Sequence, residues 1–275
     1  MEIYEGLDVT EVLGITKYDP EAQEEKALQV PKHQNKVLRF CMGFAPFRKV
    51  YLALNQKEKG SFPSDIISKS DEENLQNCVQ IIMNNFDKSF YVTEKLEGQS
   101  WTGYTTFEKC WGFKHKVFGV CSRNLRLTKP DNSKYWKSAK KYNIEKILRS
   151  YDGSVAIQAE QCGEGIQGNI YKISGVELFV FTVKINGKRL NYTEMFDFCV
   201  KHNLKTVPLI NPSFVPSVYI PSNDKATVVQ WLLDHSNGKS LLFDTMREGI
   251  VLRLNDNPEI SFKVKSPDYL IKHEE

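Results

Sequence analysis

The stretch at residues 93–100 contains the residue of this chain that is the strongest candidate for catalysis. Lys95 stands between Glu94 and Glu97, follows an apolar run and precedes Gly98. A lysine with the ordinary pKa of about 10.4 is almost fully protonated at neutral pH, so it becomes a nucleophile only where burial or neighbouring cations favour the neutral amine. Lys95 is therefore either a salt-bridged surface cation, the usual fate of a charged residue, or such a nucleophile.

Two further lysines share a pattern that points to an anionic ligand. Lys263 and Lys265 stand two positions apart in an apolar run near the end of the sequence. On a strand, residues two apart point to the same face, so the two cations share one face. Such a pair repels unless an anion lies between the two charges. The alternative is an edge strand that its lysines protect from pairing with another chain.

A glycine-rich segment matches the sequence pattern of a nucleotide-binding motif but lacks its structural context. Gly163, Gly165 and Gly168 have the spacing G-x-G-x-x-G. In a dinucleotide site, a helix follows this motif directly and points its N-terminus at the pyrophosphate. The next apolar element here, residues 176–181, has the composition of a strand. The sequence therefore excludes this type of site.

The composition is that of an ordinary globular protein. Of the 275 residues, 41% are hydrophobic and 26% are charged, and the formal net charge is +3. That charge is compatible with nucleic acid but too small for binding by charge alone. No apolar run reaches about 18 residues, so no membrane span is predicted. The six cysteines form no C-x-x-C pair and no signal peptide opens the sequence, which predicts free thiols in a reducing, cytoplasmic compartment.

Six short segments in a fixed order carry a family resemblance. They are residues 94–98, 122–124, 159–167, 179–181, 248–251 and 263–265. Their order and spacing resemble the covalent nucleotidyltransferases, the superfamily of ATP-dependent polynucleotide ligases and mRNA capping enzymes. The Glu-Gly-Ile-Gln run at residues 164–167 is similar to the RNA ligase 2-like group. The absence of a basic sixth motif after these segments favours the same branch.

The resemblance implies a covalent first step on Lys95. Its amine would attack the α-phosphorus of ATP, pyrophosphate would leave, and a lysyl-AMP phosphoramidate would remain. Lys263 and Lys265 would neutralise the α-phosphate, so that these three lysines form the implied catalytic set. Positioning and charge neutralisation dominate such phosphoryl chemistry.

The implied cofactors are ATP and Mg²⁺ or Mn²⁺. Glu94 would accept a hydrogen bond from the adenine amino group, and Phe181 would stack on adenine. Glu248 would hold the metal, because a hard carboxylate suits Mg²⁺. Glu97 would face the metal or the sugar, although the phage-type enzymes tend to have histidine there. The full implied nucleotide-binding set is Glu94, Lys95, Arg123, Glu160, Phe181, Glu248, Lys263 and Lys265, with Arg123 and Glu160 on the ribose.

Each of these assignments has a simpler alternative in the sequence itself. Phe181 lies in a wholly apolar run, and without the motif the core is the favoured explanation for it. Glu160 and Glu248 could be solvated acids at strand ends, which is the commoner fate of glutamate. Arg123 could be a surface arginine beside a turn.

The predicted function is an ATP-dependent RNA ligase that joins 5′-phosphate and 3′-hydroxyl RNA ends, most simply in a nicked duplex, during RNA repair. No membrane and no obligate protein partner are predicted. A DNA ligase and a capping-type guanylyltransferase are the alternatives within the superfamily. A catalytically decayed RNA-binding module is the alternative that is not an enzyme.

The predicted elements give an α+β fold. Residues 1–36 are polar and proline-punctuated and predict a docking segment or linker, and residues 8–18 resemble the segment that joins an N-terminal OB-fold to the ligase domain in one RNA-ligase branch. Residues 37–275 predict a nucleotidyltransferase domain of two mainly antiparallel sheets, flanked by helices, with an ATP cleft between them. Strands are predicted at residues 37–40, 50–54, 90–96, 101–108, 110–121, 154–162, 176–185, 249–254 and 259–266. Helices are predicted at residues 70–86, 135–150, 193–202 and 225–235, the first with an acidic, capped start at residues 70–73.

The predicted helix at residues 135–150 is unusually basic. Such a run is ordinarily a solvated helix face, but interleaved aromatic residues make it a candidate for contacting RNA. Its basic residues, including the one that precedes the helix, are Lys134, Lys137, Lys140, Lys141, Lys146 and Arg149, and its aromatic residues are Tyr135, Trp136 and Tyr142.

Overall fold

The structure, a computed structural model, describes residues 59–64, 67–69, 72–110, 113–127 and 132–273. The docking segment predicted for residues 1–36 and the strands predicted at 37–40 and 50–54 lie outside these ranges and remain predictions. Within the described ranges, no helix is long and apolar enough to cross a membrane.

The larger of two β-sheets contains eight described strands. Seven of them lie in the order β1-β6-β5-β4-β7-β8-β10, and β9 pairs with β8. The long strands pair antiparallel, whereas the short β10 pairs parallel with β8. Their bounds are β1 Lys59–Ser61, β4 Gln99–Cys110, β5 Phe113–Cys121, β6 Leu125–Leu127, β7 Val155–Gly163, β8 Val176–Ile185, β9 Lys188–Arg189 and β10 Lys205–Thr206.

The smaller sheet contains five described strands in the order β11-β3-β12-β13-β2. Strands β11, β3, β12 and β13 pair antiparallel, and the short β2 pairs parallel with β13. The bounds are β2 Glu73–Asn74, β3 Phe90–Lys95, β11 Leu209–Phe214, β12 Gly249–Leu254 and β13 Ser261–Lys265. Two mainly antiparallel sheets with flanking helices confirm the predicted α+β class.

Helices cover one face of each sheet. Trp101 and Ile157 of the larger sheet pack against Leu148 and Phe198. Leu252 of the smaller sheet packs in a second core, with side chains from other helices. The described helices are α1 Leu75–Asn84, α2 Lys134–Lys141, α3 Ile144–Arg149, α4 Tyr192–Lys201, α5 Pro216–Tyr219, α6 Lys225–Ser236 and α7 Pro267–His273.

The opposite faces of the two sheets face each other and carry buried polar side chains among apolar ones. Nη1 of Arg253, on β12, donates to the main-chain oxygen of Phe181, on β8, at 2.7 Å. Thr93 of the smaller sheet and Gln158 and Thr182 of the larger one are buried on these inner faces. The period-2 alternation of each strand separates this mixed inner face from the apolar face under the helices.

The predicted acidic cap of the first helix is wrong. Helix α1 begins at Leu75, its first turn has no acidic residue, and the N-cap Asn74 makes no side-chain capping hydrogen bond. Glu73 and Asn74 pair instead with β13. Glu72 lies against Arg253 in the space between the sheets. Tertiary partners for these residues override the local capping pattern.

The predicted single helix at residues 135–150 is also wrong. It is two helices, α2 and α3, that meet at Asn143, whose φ is +52°. A left-handed residue cannot continue a right-handed helix, and asparagine adopts that conformation more readily than most residues. The apolar residues of both helices still face the core of the larger sheet, because Trp136 and Ala139 lie on α2 and Ile144 and Leu148 on α3.

Candidate active site

Three neighbouring strands place the predicted nucleophile and its lysines on one inner face. The register aligns Lys95 of β3 with Gly249 of β12 and Lys265 of β13. Lys263 lies two residues earlier on β13, in the row with Val251, and therefore on the same face. Because β13 lies between β12 and β2, the alternative that these lysines protect an edge strand is wrong.

Lys95 forms an ion pair with the predicted metal ligand. Lys95 Nζ donates a hydrogen bond to Oε1 of Glu248, the residue before β12. The lysine side chain is 23% exposed and the glutamate side chain 14% exposed, so the pair is shielded but still reached by solvent. Breaking an ion pair that solvent reaches costs less free energy than breaking a fully buried one. An incoming ligand can therefore replace either partner of this pair.

Two motif glycines are required by close approach of the backbone. A Cβ at Gly249 would lie 2.2 Å from the main-chain oxygen of Val264, and one at Gly98 would lie 2.7 Å from that of Gln161. Neither gap accommodates a side chain. Gly249 also leaves open the position between Lys95 and Lys265 in their cross-strand row. The glycines that follow Lys95 and Glu248 in the sequence are therefore explained by packing of the site.

Glu94 lies on the other face of β3 from Lys95 and is buried, with 1% of its surface exposed. Its Oε2 accepts from the Leu241 amide at 2.8 Å. Oε1 is buried and has no hydrogen-bond partner among the described residues. Burial raises the pKa of Glu94, although the Ser240 hydroxyl, the Leu241 amide and the Arg247 guanidinium lower it in part. The unpaired oxygen fits the predicted acceptor for an amino group.

Glu97 is tied to two other parts of the chain. Its Oε1 accepts from the Gly168 amide at 3.2 Å, and its Oε2 accepts from the Tyr269 hydroxyl of α7. The Glu97 amide in turn donates to the Tyr171 hydroxyl oxygen at 2.8 Å. Gly168 closes the glycine-rich segment, which no helix follows, since the next regular element after Gly163 is β8. The exclusion of a dinucleotide site is confirmed, and the segment instead supports the loop after Lys95.

The charges of acidic residues from both sheets act on one buried thiol. Burial raises the pKa of Cys162, and the charges of Glu160, Glu97, Glu248 and Glu94 raise it further. Glu160 lies two residues before Cys162 on β7, with its Cγ beside Gly98. Glu160 of the larger sheet therefore lies next to the loop that follows Lys95 of the smaller one, as its predicted role requires.

The remaining two predicted residues lie at the margins of this group. Phe181 is partly buried against the cluster that contains Leu96 and Phe179, which fits the core alternative, and its role as an adenine platform stays a prediction. Arg123 lies on the exposed turn between β5 and β6. Since Cys121 pairs with Thr102 near the start of β4, this turn lies at the same end of the larger sheet as the loop after Lys95.

The predicted metal ligands differ in their fit to a cation. Among the described residues, no three histidine, cysteine, aspartate or glutamate side chains form a cluster that could hold a metal ion alone. Glu248 offers a carboxylate that is partly exposed and that pairs with Lys95. Both oxygens of Glu97 already accept hydrogen bonds from the protein. Glu248 therefore fits a site that Mg²⁺ or Mn²⁺ would share with phosphate oxygens, and Glu97 fits an outer position.

Sequence reasoning missed the two tyrosines around Glu97. Tyr171 lies in a stretch without regular structure, so no local pattern marks it. Tyr269 had a usable signal, because Ser266-Pro267-Asp268 is a helix-start pattern. In the structure the Ser266 hydroxyl accepts from the Tyr269 amide at 3.1 Å and caps α7.

Comparison with known proteins places this geometry in a family. No curated protein matches the chain by sequence. A family model described as RNA ligase matches residues 88–265. Solved structures of Naegleria gruberi RNA ligase match 98% of this chain and 68% of that one. The form with pyrophosphate is 28% identical with a TM-score of 0.69, and a mutant with AMP and manganese is 27% identical with a TM-score of 0.68. The chain therefore belongs to the RNA ligase family, which confirms the enzyme class predicted from its sequence.

Proposed function

We propose that this RNA ligase uses ATP and a divalent metal to form a lysyl-AMP on Lys95 and then seals RNA 5′-phosphate to 3′-hydroxyl ends. The observation that carries the proposal is the row of Lys95, Gly249 and Lys265, with Glu248 in contact with Lys95. The Naegleria gruberi ligase was solved with ATP and manganese and with pyrophosphate, which supports the same cofactors here.

In the first step, Lys95 Nζ attacks the α-phosphorus of ATP. The nitrogen–phosphorus bond forms as the bond to the β-phosphate oxygen breaks, pyrophosphate leaves, and the amine releases its proton. The ion pair with Glu248 must open beforehand, because a protonated amine has no lone pair. Glu248 is then free to hold the divalent metal, which would neutralise phosphate charge.

Lys263 and Lys265 stabilise the charge on the α-phosphate. Both project from β13 on the face that carries Lys95, and no side chain at Gly249 intervenes. Cations fixed on a sheet need no reorganisation as charge develops, which is the general origin of electrostatic catalysis.

The base and sugar would be held by residues of both sheets. The unpaired Oε1 of Glu94 would accept from the adenine amino group, and Phe181 would contact the adenine ring. Glu160 and Arg123 would bind the ribose from the larger sheet. The position of Glu160 beside Gly98, in the loop after Lys95, supports this arrangement.

In the later steps AMP passes to RNA. A 5′-phosphate oxygen attacks the phosphorus of lysyl-AMP, and the bond to Lys95 breaks. A 3′-hydroxyl then attacks the 5′-phosphorus, AMP leaves, and a phosphodiester bond forms. We propose a nicked duplex as the substrate, RNA repair as the role, and a reducing cytoplasmic compartment as the location. The last is supported by the free thiols of Cys78, Cys121, Cys162 and Cys199.

The test is covalent labelling with ATP carrying a labelled α-phosphate in the presence of Mg²⁺ or Mn²⁺. We expect an acid-labile protein–AMP adduct and stoichiometric release of pyrophosphate, both absent from Lys95→Ala. Lys225→Ala is the matched control, because Lys225 is an exposed lysine on α6. A wild-type protein that forms no adduct, or a Lys95→Ala variant that still does, contradicts the proposal. The first result would leave the decayed RNA-binding module as the explanation.

Two substrate comparisons separate the related enzymes. Labelling with GTP in place of ATP would indicate a capping-type enzyme. Sealing of a DNA 3′-hydroxyl end as readily as an RNA 3′-hydroxyl end would indicate a DNA ligase. We expect ATP and an RNA 3′-hydroxyl to be preferred.

A further inference from the structure

A second concave surface lies on the helix-covered side of the larger sheet, away from the face that carries Glu160. It is a groove of about 730 Å³ between α2, α3 and β5. Asn143, which separates the two helices, forms part of its wall. We call it the outer groove; the residues that matter for its chemistry are Phe118, Trp136, Lys140, Glu145, Lys146 and Arg149.

The outer groove carries an excess of positive charge. Three cations line it against one carboxylate, that of Glu145, which is paired with Arg149 Nε at 2.7 Å. The side chains of Lys140 and Lys146 make no ion pair or hydrogen bond within the described part of the chain. Two unpaired cations that share one concavity attract anions more strongly than isolated surface lysines do.

Other basic residues of the same run are already engaged. Lys134 donates to the main-chain oxygen of Glu164 at 2.7 Å, and Lys141 donates to Glu177 at 2.8 Å. The structure therefore divides the basic run into lysines that fasten α2 to its neighbours and lysines that face the outer groove. The two in the groove are the ones available to a ligand.

Aromatic residues form the floor of the outer groove. The rings of Phe118 and Trp136 meet edge to face, with their centroids 5.8 Å apart. Trp136 is 6% exposed, and its Nε1 is buried with no hydrogen-bond partner among the described residues. A buried donor without a partner costs roughly 1–3 kcal/mol, so the aromatic floor is a strained part of this surface.

The β4–β5 hairpin extends this surface. Phe107 and Lys116 pair across the hairpin on the face that also carries Phe118. Phe107 is 48% exposed, and Lys116 Nζ lies 5.9 Å from the centre of its ring. Lys116 Nζ also donates to the main-chain oxygen of Leu148 in α3 at 3.3 Å, which joins the hairpin to the groove wall. Exposed aromatic rings beside cations are how proteins hold single-stranded nucleic acid.

We propose that the outer groove and Phe107 bind the phosphodiester backbone and one base of a single-stranded flank of the RNA substrate, outside the sealing site. The inference rests on the proposed function for the identity of the ligand. Phosphates would pair with Lys140 and Lys146, and a base would stack on Phe107. This contact adds affinity without touching the reacting atoms.

The test measures the affinity of the full chain for a labelled single-stranded RNA as a function of salt. In Lys140→Gln/Lys146→Gln, loss of two phosphate contacts should reduce the slope of log K against log salt by about 1.4 and weaken binding roughly tenfold at low salt. Lys188→Gln/Lys225→Gln removes the same charge from exposed sites elsewhere and should leave the slope unchanged. Phe107→Ala should weaken binding roughly fivefold or more with the slope unchanged.

Adduct formation with labelled ATP separates this inference from the proposed function. The groove variants should form protein–AMP at the wild-type rate, because none of these residues lies at the nucleotide. If the slope and affinity of the double variant equal those of the wild type, the groove does not bind RNA, and an acidic protein segment becomes the better ligand. If the wild type forms no adduct but the double variant loses salt-dependent RNA binding, the groove stands and the proposed function fails.

Discussion

The inner face of the smaller sheet carries basic side chains at both ends, and the two ends differ in how completely their charges are paired. At one end, Lys95 and Lys265 flank Gly249, and the pair of Lys95 with Glu248 is partly exposed. Four residues along β12, Arg253 is 2% exposed. The same strands therefore hold one set of charges that a ligand can reach and one that it cannot.

At the buried end, the charges are paired within the protein. Arg253 Nη2 donates to Glu72 Oε1 at 2.6 Å, and Arg189 lies 3.7 Å from the same oxygen. The Ser261 hydroxyl donates to the other oxygen of Glu72. Burial alone would raise the pKa of Glu72, but Arg253 and Arg189 hold it below its ordinary value. This cluster joins the two sheets, because Arg189 belongs to the larger one.

Exposure, and not charge alone, separates a structural ion pair from a reactive one. A sealed pair has no alternative partner, so its loss should change stability. A pair that solvent reaches can exchange its partner for phosphate or metal, so its loss should change rate. Substitutions at the two ends can test this division between stability and rate.

The largest expected effect is on stability, from Glu72→Gln. It leaves two guanidinium groups close together in the space between the sheets, and breaking a buried pair in this way costs about 3–5 kcal/mol in the free energy of unfolding. Chemical denaturation is the measurement. Glu73→Gln, at the exposed neighbouring residue, is the control and should change it by less than about 0.5 kcal/mol. Equal effects of the two substitutions would contradict a structural role for the Glu72 cluster.

Acid should erase the difference between wild type and Glu72→Gln. Because the folded-state pKa of Glu72 is lowered from 4.5, its contribution is fully present above that pH and is lost as the pH falls through the lowered value. Unfolding curves measured from pH 6 downwards should therefore converge for the two proteins, in the window below about pH 4.5. A difference that stays constant through this window would show that the carboxylate charge is not the cause.

The next largest effect is on rate, from Lys265→Gln. Removing one fixed cation from the developing charge should slow adduct formation by about 10²–10³-fold. Stability should change by less than about 1 kcal/mol, since Lys265 is partly exposed. Rapid-quench labelling measures the rate, and Lys272→Gln on the exposed side of α7 is the matched control. A large loss of stability with an unchanged rate would show that Lys265 has a structural role and no role in adduct formation.

The smallest effect concerns Tyr269→Phe, which removes one hydrogen bond to Glu97 and keeps the ring. Partners of metal-site carboxylates typically change metal affinity or activity by about tenfold or more. We expect the Mn²⁺ concentration for half-maximal adduct formation to shift by about tenfold. Tyr142→Phe removes an equivalent tyrosine–glutamate hydrogen bond to Glu177, away from the site, and should not shift it. An equal metal response in both variants would assign Tyr269 to structure alone.

The strands of the site were predictable because their patterns are local. The apolar run before Lys95 and the alternation through Lys263 and Lys265 specify β3 and β13 to within about a residue at the site end. The turn at Asn186-Gly187 marks a hairpin, and the chain turns there between β8 and β9. Strand β11 was not predicted, because Asn211 and Pro212 are residue types that are uncommon within strands. Its pairing with β3 is also irregular.

Other parts of the site depend on contacts that no local window contains. The helix break at Asn143 follows from the left-handed backbone of that residue. An asparagine within a basic helical run predicts such a break only weakly. The displaced start of α1 has the same origin, because Glu72 is drawn to Arg253, 181 residues away in sequence. Local helix propensity is overridden where a buried charge must reach its one available partner.

The family, the α+β class and the candidate residues of the site follow from the sequence, since lysine, glutamate and glycine stand in the order and spacing of the family motifs. The partner of each candidate residue depends on the tertiary structure. The fold joins Lys95 to Glu248 across 153 residues and Glu97 to Tyr269 across 172, and within the described ranges it leaves Oε1 of Glu94 without a hydrogen bond. The physical reason is that hydrogen bonds and ion pairs depend on distances of a few ångströms, and strand pairing and helix docking set those distances far from the residues in sequence.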